Sequence, residues 1–315
     1  MKVYALKVYA VKARRVMVAG FSLMLMLGTC SLAKGQYAFR PLDVPGAAST
    51  EVNGVNTAGD IVGAYSLSDL YVDDAVGFTL VNGVYKPLQV PGAAQTYAGG
   101  INSSGQIAGW YDTAATESGF LLSGGTFTTL TYPGATYTVA FSINDAGKIV
   151  GTALIGSAYQ GFSWTGGTFT LLTFPGAACT EALDVNQSGA IVGAYSLTDP
   201  SCNTNLQGFL HKGSSFTAIE FPGASSTIPI AINKSGEIGG SYTDASGDEF
   251  GFTLSGSTYT AVNYPAGTDT TISRIKENGQ IVGIYTDSTG GWRGFLGTPL
   301  TLVPQPKLRN SKRPQ

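Results

Sequence analysis

Short apolar, β-branched and aromatic runs alternate with polar turn residues along most of the chain. Between Tyr137 and Phe174 the runs "YTVAFSI", "KIVGTA", "GFSW" and "TFTLLTF" are separated by Asn, Asp, Gly and Thr clusters, which predicts four short strands joined by turns. No long helical period follows Gly35. The 43 glycines and 16 tyrosines fit the same all-β reading, dense in turns.

The four-run group repeats. A Pro-Gly turn recurs at Pro45, Pro91, Pro133, Pro175 and Pro222, with a degenerate copy at Pro265. Eleven residues after each lies an "(I/V)N-x-x-G" turn, at Asn56, Asn102, Asn144, Asn186 and Asn233, with Lys276 in the sixth place. Seven residues further is a glycine, at Gly63, Gly109, Gly151, Gly193, Gly240 and Gly283, and then a Gly-Phe pair at Phe78, Phe120, Phe162, Phe209, Phe252 and Phe295. In the N-x-x-G turn, Asn hydrogen-bonds its own backbone and Gly takes a positive φ, as a tight hairpin requires. The recurrent phenylalanines are read as packing between units.

Four strands in each unit of 42 to 47 residues match a propeller blade. The segment "YAFRPLDV" reads as a fourth strand, with Phe39 in the place of Phe127, and "GWRGFLGT" near the other end reads as a third strand. Joined, the two ends complete a unit. The expected architecture is a six-bladed β-propeller of four-stranded antiparallel blades, closed by the N-terminal strand, which removes open sheet edges.

The stretch "GFLLSGGTFTTLTYPGATYTVAFSINDAGKIVG", Gly119 to Gly151, resembles the bacterial extracellular HAF repeats. The likeness covers roughly Tyr37 to Thr298, with Gly-Phe where the name-giving His-Ala-Phe would stand and Pro-Gly-Ala in place of a Gly-Gly turn. The resemblance implies secretion and a repeat architecture and carries no catalytic residue across.

The basic stretch "MKVYALKVYAVKARR", the apolar run "VMVAGFSLMLMLG" and the small residues around Ala33 predict a signal peptide over 1–33, a propeller domain over 34–300 and a disordered basic tail over 301–315. The apolar run is shorter than the ~20 residues that span a bilayer, so no anchor is expected in the mature chain. Lipidation at Cys30 is the alternative. Removing the leader leaves 13 basic against 20 acidic residues, four of the basic ones in the tail, and such an acidic body does not suit nucleic acid. An extracellular or periplasmic monomer is expected.

All length variation falls between the strand-two glycine and the next Gly-Phe, where the intervals are 14, 10, 10, 15, 11 and 11 residues. Insertions confined to one face mark it as the expected binding face. The two longest loops belong to the first and fourth units, which also share Glu51 and Glu181 after the Pro-Gly turn. These two carboxylates are read as a cation site, an acid pair, or the residue of a half-ring duplication. Cys179 and Cys202, one in each loop of the fourth unit, are expected to form a disulfide that closes a loop of about two dozen residues and contributes about 3 kcal/mol. Tyr65, Tyr111, Tyr195, Tyr242 and Tyr285 end the second strands, followed by Asp69, Asp112, Asp199, Asp244 and Asp287. Aromatic faces beside carboxylates suit a sugar, and the Asp set suits calcium; the competing reading is packing and turn chemistry.

His211 is the sole histidine and has no partner motif; no nucleophile elbow, phosphate loop or zinc pattern occurs. The functional expectation is a secreted binding or scaffold module for a glycan or a protein. A polysaccharide hydrolase or lyase using face carboxylates, with calcium, is the alternative.

Overall fold

The computed structural model describes residues 37–68 and 74–300. The expected leader with Cys30, the basic tail and Asp69 lie outside the described residues. Every regular element among the described residues is a β-strand. Units 1 to 5, spanning 49–88, 95–130, 137–172, 179–219 and 226–262, each form an antiparallel meander of four consecutive strands. The last three strands, in unit 6 (268–299), gain their fourth from the other end of the described chain: Tyr37–Pro41 lies antiparallel on Trp292–Pro299, with Phe39 opposite Gly297. One parallel bridge, Tyr137 with Glu117, also joins the first strand of unit 3 to the start of the third strand of unit 2. The arrangement is that of a β-propeller.

Local chemistry explains the repeat. In units 1 to 5 the Pro-Gly dipeptide fills the centre of a type II turn: Ala47 N–H donates to Val44 O at 3.0 Å across Pro45 and Gly46, with Gly46 at φ 82°. Five residues after each proline a threonine hydroxyl accepts from the N–H of the residue before that proline, as Thr50 does from Val44 and Thr138 from Tyr132. The turn is thereby clamped to the first strand of the next unit.

The strand-two glycine answers to a different constraint. The first strand carries a bulge, between Ala140 and Ser142 in unit 3, which presses a carbonyl toward the second strand. A Cβ at Gly151 would stand 1.9 Å from Val139 O and 2.8 Å from the Phe162 ring. The equivalent glycines face backbone oxygens at 1.9 to 2.1 Å in every unit, so no side chain fits there. The Gly-Phe rings fill the space and are 0 to 1% exposed. Each meets an aromatic of the fourth strand edge-on or tilted, as Phe162 meets Phe169 at 5.2 Å. Phe39 makes the same contact with Phe295 at 5.4 Å, so the N-terminal strand supplies the missing ring of unit 6.

The asparagines do more than turn the chain. Asn144 Oδ1 accepts from Ala146 N and Lys148 N, which is the expected turn chemistry. Its Nδ2, however, donates to Asn186 O of the next unit at 3.0 Å. The same bond runs from Asn56 to Asn102, Asn102 to Asn144, Asn186 to Asn233 and Asn233 to Lys276. Turn chemistry alone misses this second role, whose sequence signal is the constancy of Asn where Asp would turn the chain equally well.

These two roles separate in one variant. Asn144→Asp keeps the turn acceptor but sets a carboxylate oxygen against a buried carbonyl. We expect a loss of about 1–3 kcal/mol in denaturant unfolding, where a residue serving the turn alone would show none.

Candidate functional site

The first strands of the units converge, each running from the Pro-Gly loops to the Asn hairpins. The molecule therefore offers a loop end and a hairpin end.

At the loop end, side chains are consumed by the protein itself. Tyr195, Tyr242 and Tyr285 lie flat on Phe174, Phe221 and Tyr264, with ring centroids 3.6, 3.7 and 3.8 Å apart. Tyr65 and Tyr111 pack into the equivalent contacts beside Val44 and Val90. The aspartates build loops. Asp199 accepts from the N–H groups of Ser201, Asn203 and Thr204 and from the Ser201 and Thr204 hydroxyls. Burial raises its pKa, but these donors outweigh burial and hold it at about 2. Asp244 accepts from Ser246 N and Asp248 N. Asp287 accepts from Thr289, Gly291 and Arg293, and the Thr289 hydroxyl is the largest cause of its lowered pKa. Asp112 ends its strand half-buried. Among the described residues no three His, Cys, Asp or Glu side chains gather to hold a metal ion.

Cys179 and Cys202 form the expected disulfide, with Cα atoms 5.7 Å apart, although Cys179 opens a strand and does not lie in the loop. The long loop of unit 4 then docks on unit 3, where Tyr159 N–H donates to Pro200 O. Cys179, Cys202, Leu206, Tyr159 and Leu183 form one cluster against Phe141. On the other side Tyr97 stacks on Trp110 at 4.9 Å, and both pack with Trp292 and Phe141. Two apolar clusters thus pack at the loop end, and both reach Phe141.

Glu51 and Glu181 are not alike. Glu51 is 1% exposed, and among the described residues neither of its carboxylate oxygens meets a donor. Burial lifts its pKa to about 8. Glu181 is half-buried. Two further acids stand outside the motif: Glu117, buried, raised to about 9 by burial and then by Asp112, and Glu249, half-buried, raised to about 7 by desolvation against the bond from Thr271 Oγ1. Both stand two residues before a Gly-Phe glycine, where the other units carry Ala75, Tyr159, Leu206 and Trp292. His211 leans on Phe216 with ring centroids 4.5 Å apart; burial and then Lys148 lower its pKa.

At the hairpin end lies a cavity of about 480 Å³ lined by all six units. Its wall is the aliphatic half of the "(I/V)N" motif: Val55, Ile101, Ile143, Val185, Ile232 and Ile275. Arg274 and Asp184 close its floor. Arg274 Nη2 donates to Gly99 O and Phe141 O at 3.1 and 3.0 Å, and Nη1 to Ser273 O at 2.6 Å. Its Nε is 3.8 Å from Asp184 Oδ1. Asp184 in turn accepts from the Ser142 hydroxyl and Ile232 N. One arginine thus ties units 2, 3 and 4 to unit 6, and Asp184 adds unit 5. The expectation placed binding on the loop end; the cavity is at the opposite end, and Arg274 sits where the repeat is degenerate.

No family model and no curated protein sequence matches this chain. Solved structures resemble it in overall shape. TolB from Acinetobacter baumannii aligns at TM-score 0.49 and 11% identity, covering 79% of this chain and 55% of its own. This chain thus spans just over half the length of that protein. Aleuria aurantia lectin in complex with Fucα1-6GlcNAc aligns at 0.49 and 11%, covering 80% and 96%. The β-propeller domain of the trilobed protease from Pyrococcus furiosus, described as having an open velcro topology, aligns at 0.44 and 10%, covering 84% and 99%. These likenesses carry nothing about a ligand of this chain.

The raised carboxyls fix a pH dependence. Unfolded, a Glu titrates near 4.3; folded, Glu51, Glu249 and Glu117 keep their protons to about pH 8, 7 and 9. Between these limits the folded state holds more protons, so stability falls as pH rises. Unfolding free energy is expected to be larger at pH 5 than at pH 8.5, each of the three carboxyls contributing at most about 1.4 kcal/mol for each unit by which its folded value stands above pH 5, and Glu51→Gln is expected to flatten part of that slope. An unchanged slope in the variant would place the Glu51 carboxyl in water.

Proposed function

We propose that the chain is an exported six-bladed propeller, closed by its N-terminal strand, that acts outside the cytoplasm as a binding module for a glycan or protein ligand. The observation that carries the reading is the hairpin-end cavity. It draws its lining from every unit, lies within the range of about 300–1,000 Å³ usual for small-molecule sites, and combines an aliphatic wall with a few converging polar groups. The pairing of Tyr37–Pro41 with Trp292–Pro299, and the Phe39 contact, support closure. The disulfide fits an oxidising compartment, in line with the leader pattern and the resemblance to secreted HAF repeats. The hydrolase or lyase reading needs Glu51 open to substrate, whereas its carboxyl is enclosed.

Thermal melting of residues 34–315 against a panel of mono- and oligosaccharides, acidic and neutral, tests the binding reading. A ligand at 100 times its Kd adds about 2.7 kcal/mol, a shift of a few degrees for a chain of this size. At least one saccharide is expected to shift the midpoint without being turned over. Turnover abolished by Glu51→Gln would replace this reading with the enzymatic one.

A further inference from the structure

The hairpin-end cavity has a chemical bias. Its acids are already engaged. Asp145 accepts from Ser103 N and the Ser103 hydroxyl, Glu277 from Lys234 N and the Ser235 hydroxyl, and Asp184 from Ser142 and Ile232 N. These bonds join neighbouring units, so Asp145 and Glu277 are fixed in the rim and Asp184 in the floor. The donors are less committed. Carbonyls take three of the five N–H groups of Arg274, two on Nη2 and one on Nη1, which leaves a second Nη1 hydrogen and the Nε hydrogen, the latter's nitrogen 3.8 Å from Asp184 Oδ1. Lys234 and Lys276 line the same cavity, and among the described residues neither is within salt-bridge distance of a carboxylate. Lys234 is exposed and Lys276 half-buried.

The space is blind. Arg274 crosses to units 2 and 3, and Phe141, whose carbonyl it holds, packs against both apolar clusters of the loop end. A ligand therefore enters from the hairpin side and presents one end to the guanidinium. An acceptor-rich, anionic end suits that floor, and a body with both C–H and hydroxyl edges suits an aliphatic wall below a polar rim.

Resting on the binding-module reading, we propose that this cavity is a site for a sugar acid, a uronate monosaccharide or chain end, its carboxylate meeting Arg274 and flanked by Lys234 and Lys276. The C–H face of the sugar ring lies against Ile143, Val185 and Ile232, and its hydroxyls reach the rim. The acidic body of the protein repels a long polyanion, so the site takes an end and not a track along a polymer.

The test is calorimetric titration of residues 34–315 with galacturonate and glucuronate, beside galactose, glucose and tetra-alanine. Because Arg274 also ties the units together, the decisive variant is Lys234→Gln with Lys276→Gln, whose melting temperature is expected to match the parent. A uronate is expected to bind at least tenfold more tightly than its neutral parent sugar, to weaken with added salt, and to lose at least tenfold in the double variant. Equal affinity for the neutral sugar, undiminished uronate binding in the variant, no uronate binding, or tighter binding of tetra-alanine would each overturn the proposal. If a neutral saccharide binds the double variant as it binds the parent, this site is lost while the binding-module reading stands.

Discussion

A carbonyl pressed against a residue that has no side chain is the constraint from which the rest of this molecule follows. The bulge in each first strand brings a backbone oxygen to about 2 Å from where a Cβ would stand on the second strand, and only glycine admits it. That approach opens the slot occupied by the Gly-Phe ring, and the ring fixes the distance to the fourth strand. The Thr clamp on each Pro-Gly turn then aims the next first strand, and the Asn side chain ties it to its neighbour. At the centre the bulges leave carbonyls pointing inward, and Arg274 gathers two of them with that of Ser273.

The residue after the bulge shows how a repeat yields a site. It is Gly54, Gly100, Ser142, Asp184, Ala231 and Arg274 in successive units. The small residues leave room, and the three polar ones meet: Ser142 donates to Asp184, and Arg274 Nε stands 3.8 Å from it. Repetition builds the wall of aliphatic side chains, while departures from repetition supply its chemistry. The same division holds at the loop end, where Glu117 and Glu249 stand at the position that other units fill with Ala75, Tyr159, Leu206 and Trp292.

Spacing alone made the strands, the turns, the Gly-Phe packing and the disulfide legible, because each answers to local geometry repeated many times. The loop-end tyrosines and aspartates are read from their residue types, which carry no information about their partners. Tyr195 and Asp199 have the composition of a sugar site, yet the ring lies on Phe174 and the carboxylate organises its own loop. Residue types do not reveal whether their polar atoms are already engaged. Arg274 escaped notice for the opposite reason. It lies in the least regular unit, and its partners Gly99, Phe141 and Asp184 are 90 to 175 residues away, joined to it by tertiary structure only. The inter-unit role of the asparagines was hidden because their turn role already accounted for them.

Closure of the ring is the claim on which the blind cavity and the binding reading both rest, and native-state hydrogen exchange tests it most directly. If Tyr37–Pro41 is the fourth strand of the last unit, the paired amides of that strand and of Trp292–Pro299 exchange only in the global unfolding reaction, with protection equal to that of Tyr137–Ile143 in unit 3. Rapid, independent exchange of the terminal pair beside strong protection in unit 3 would contradict closure and leave an open stack in its place.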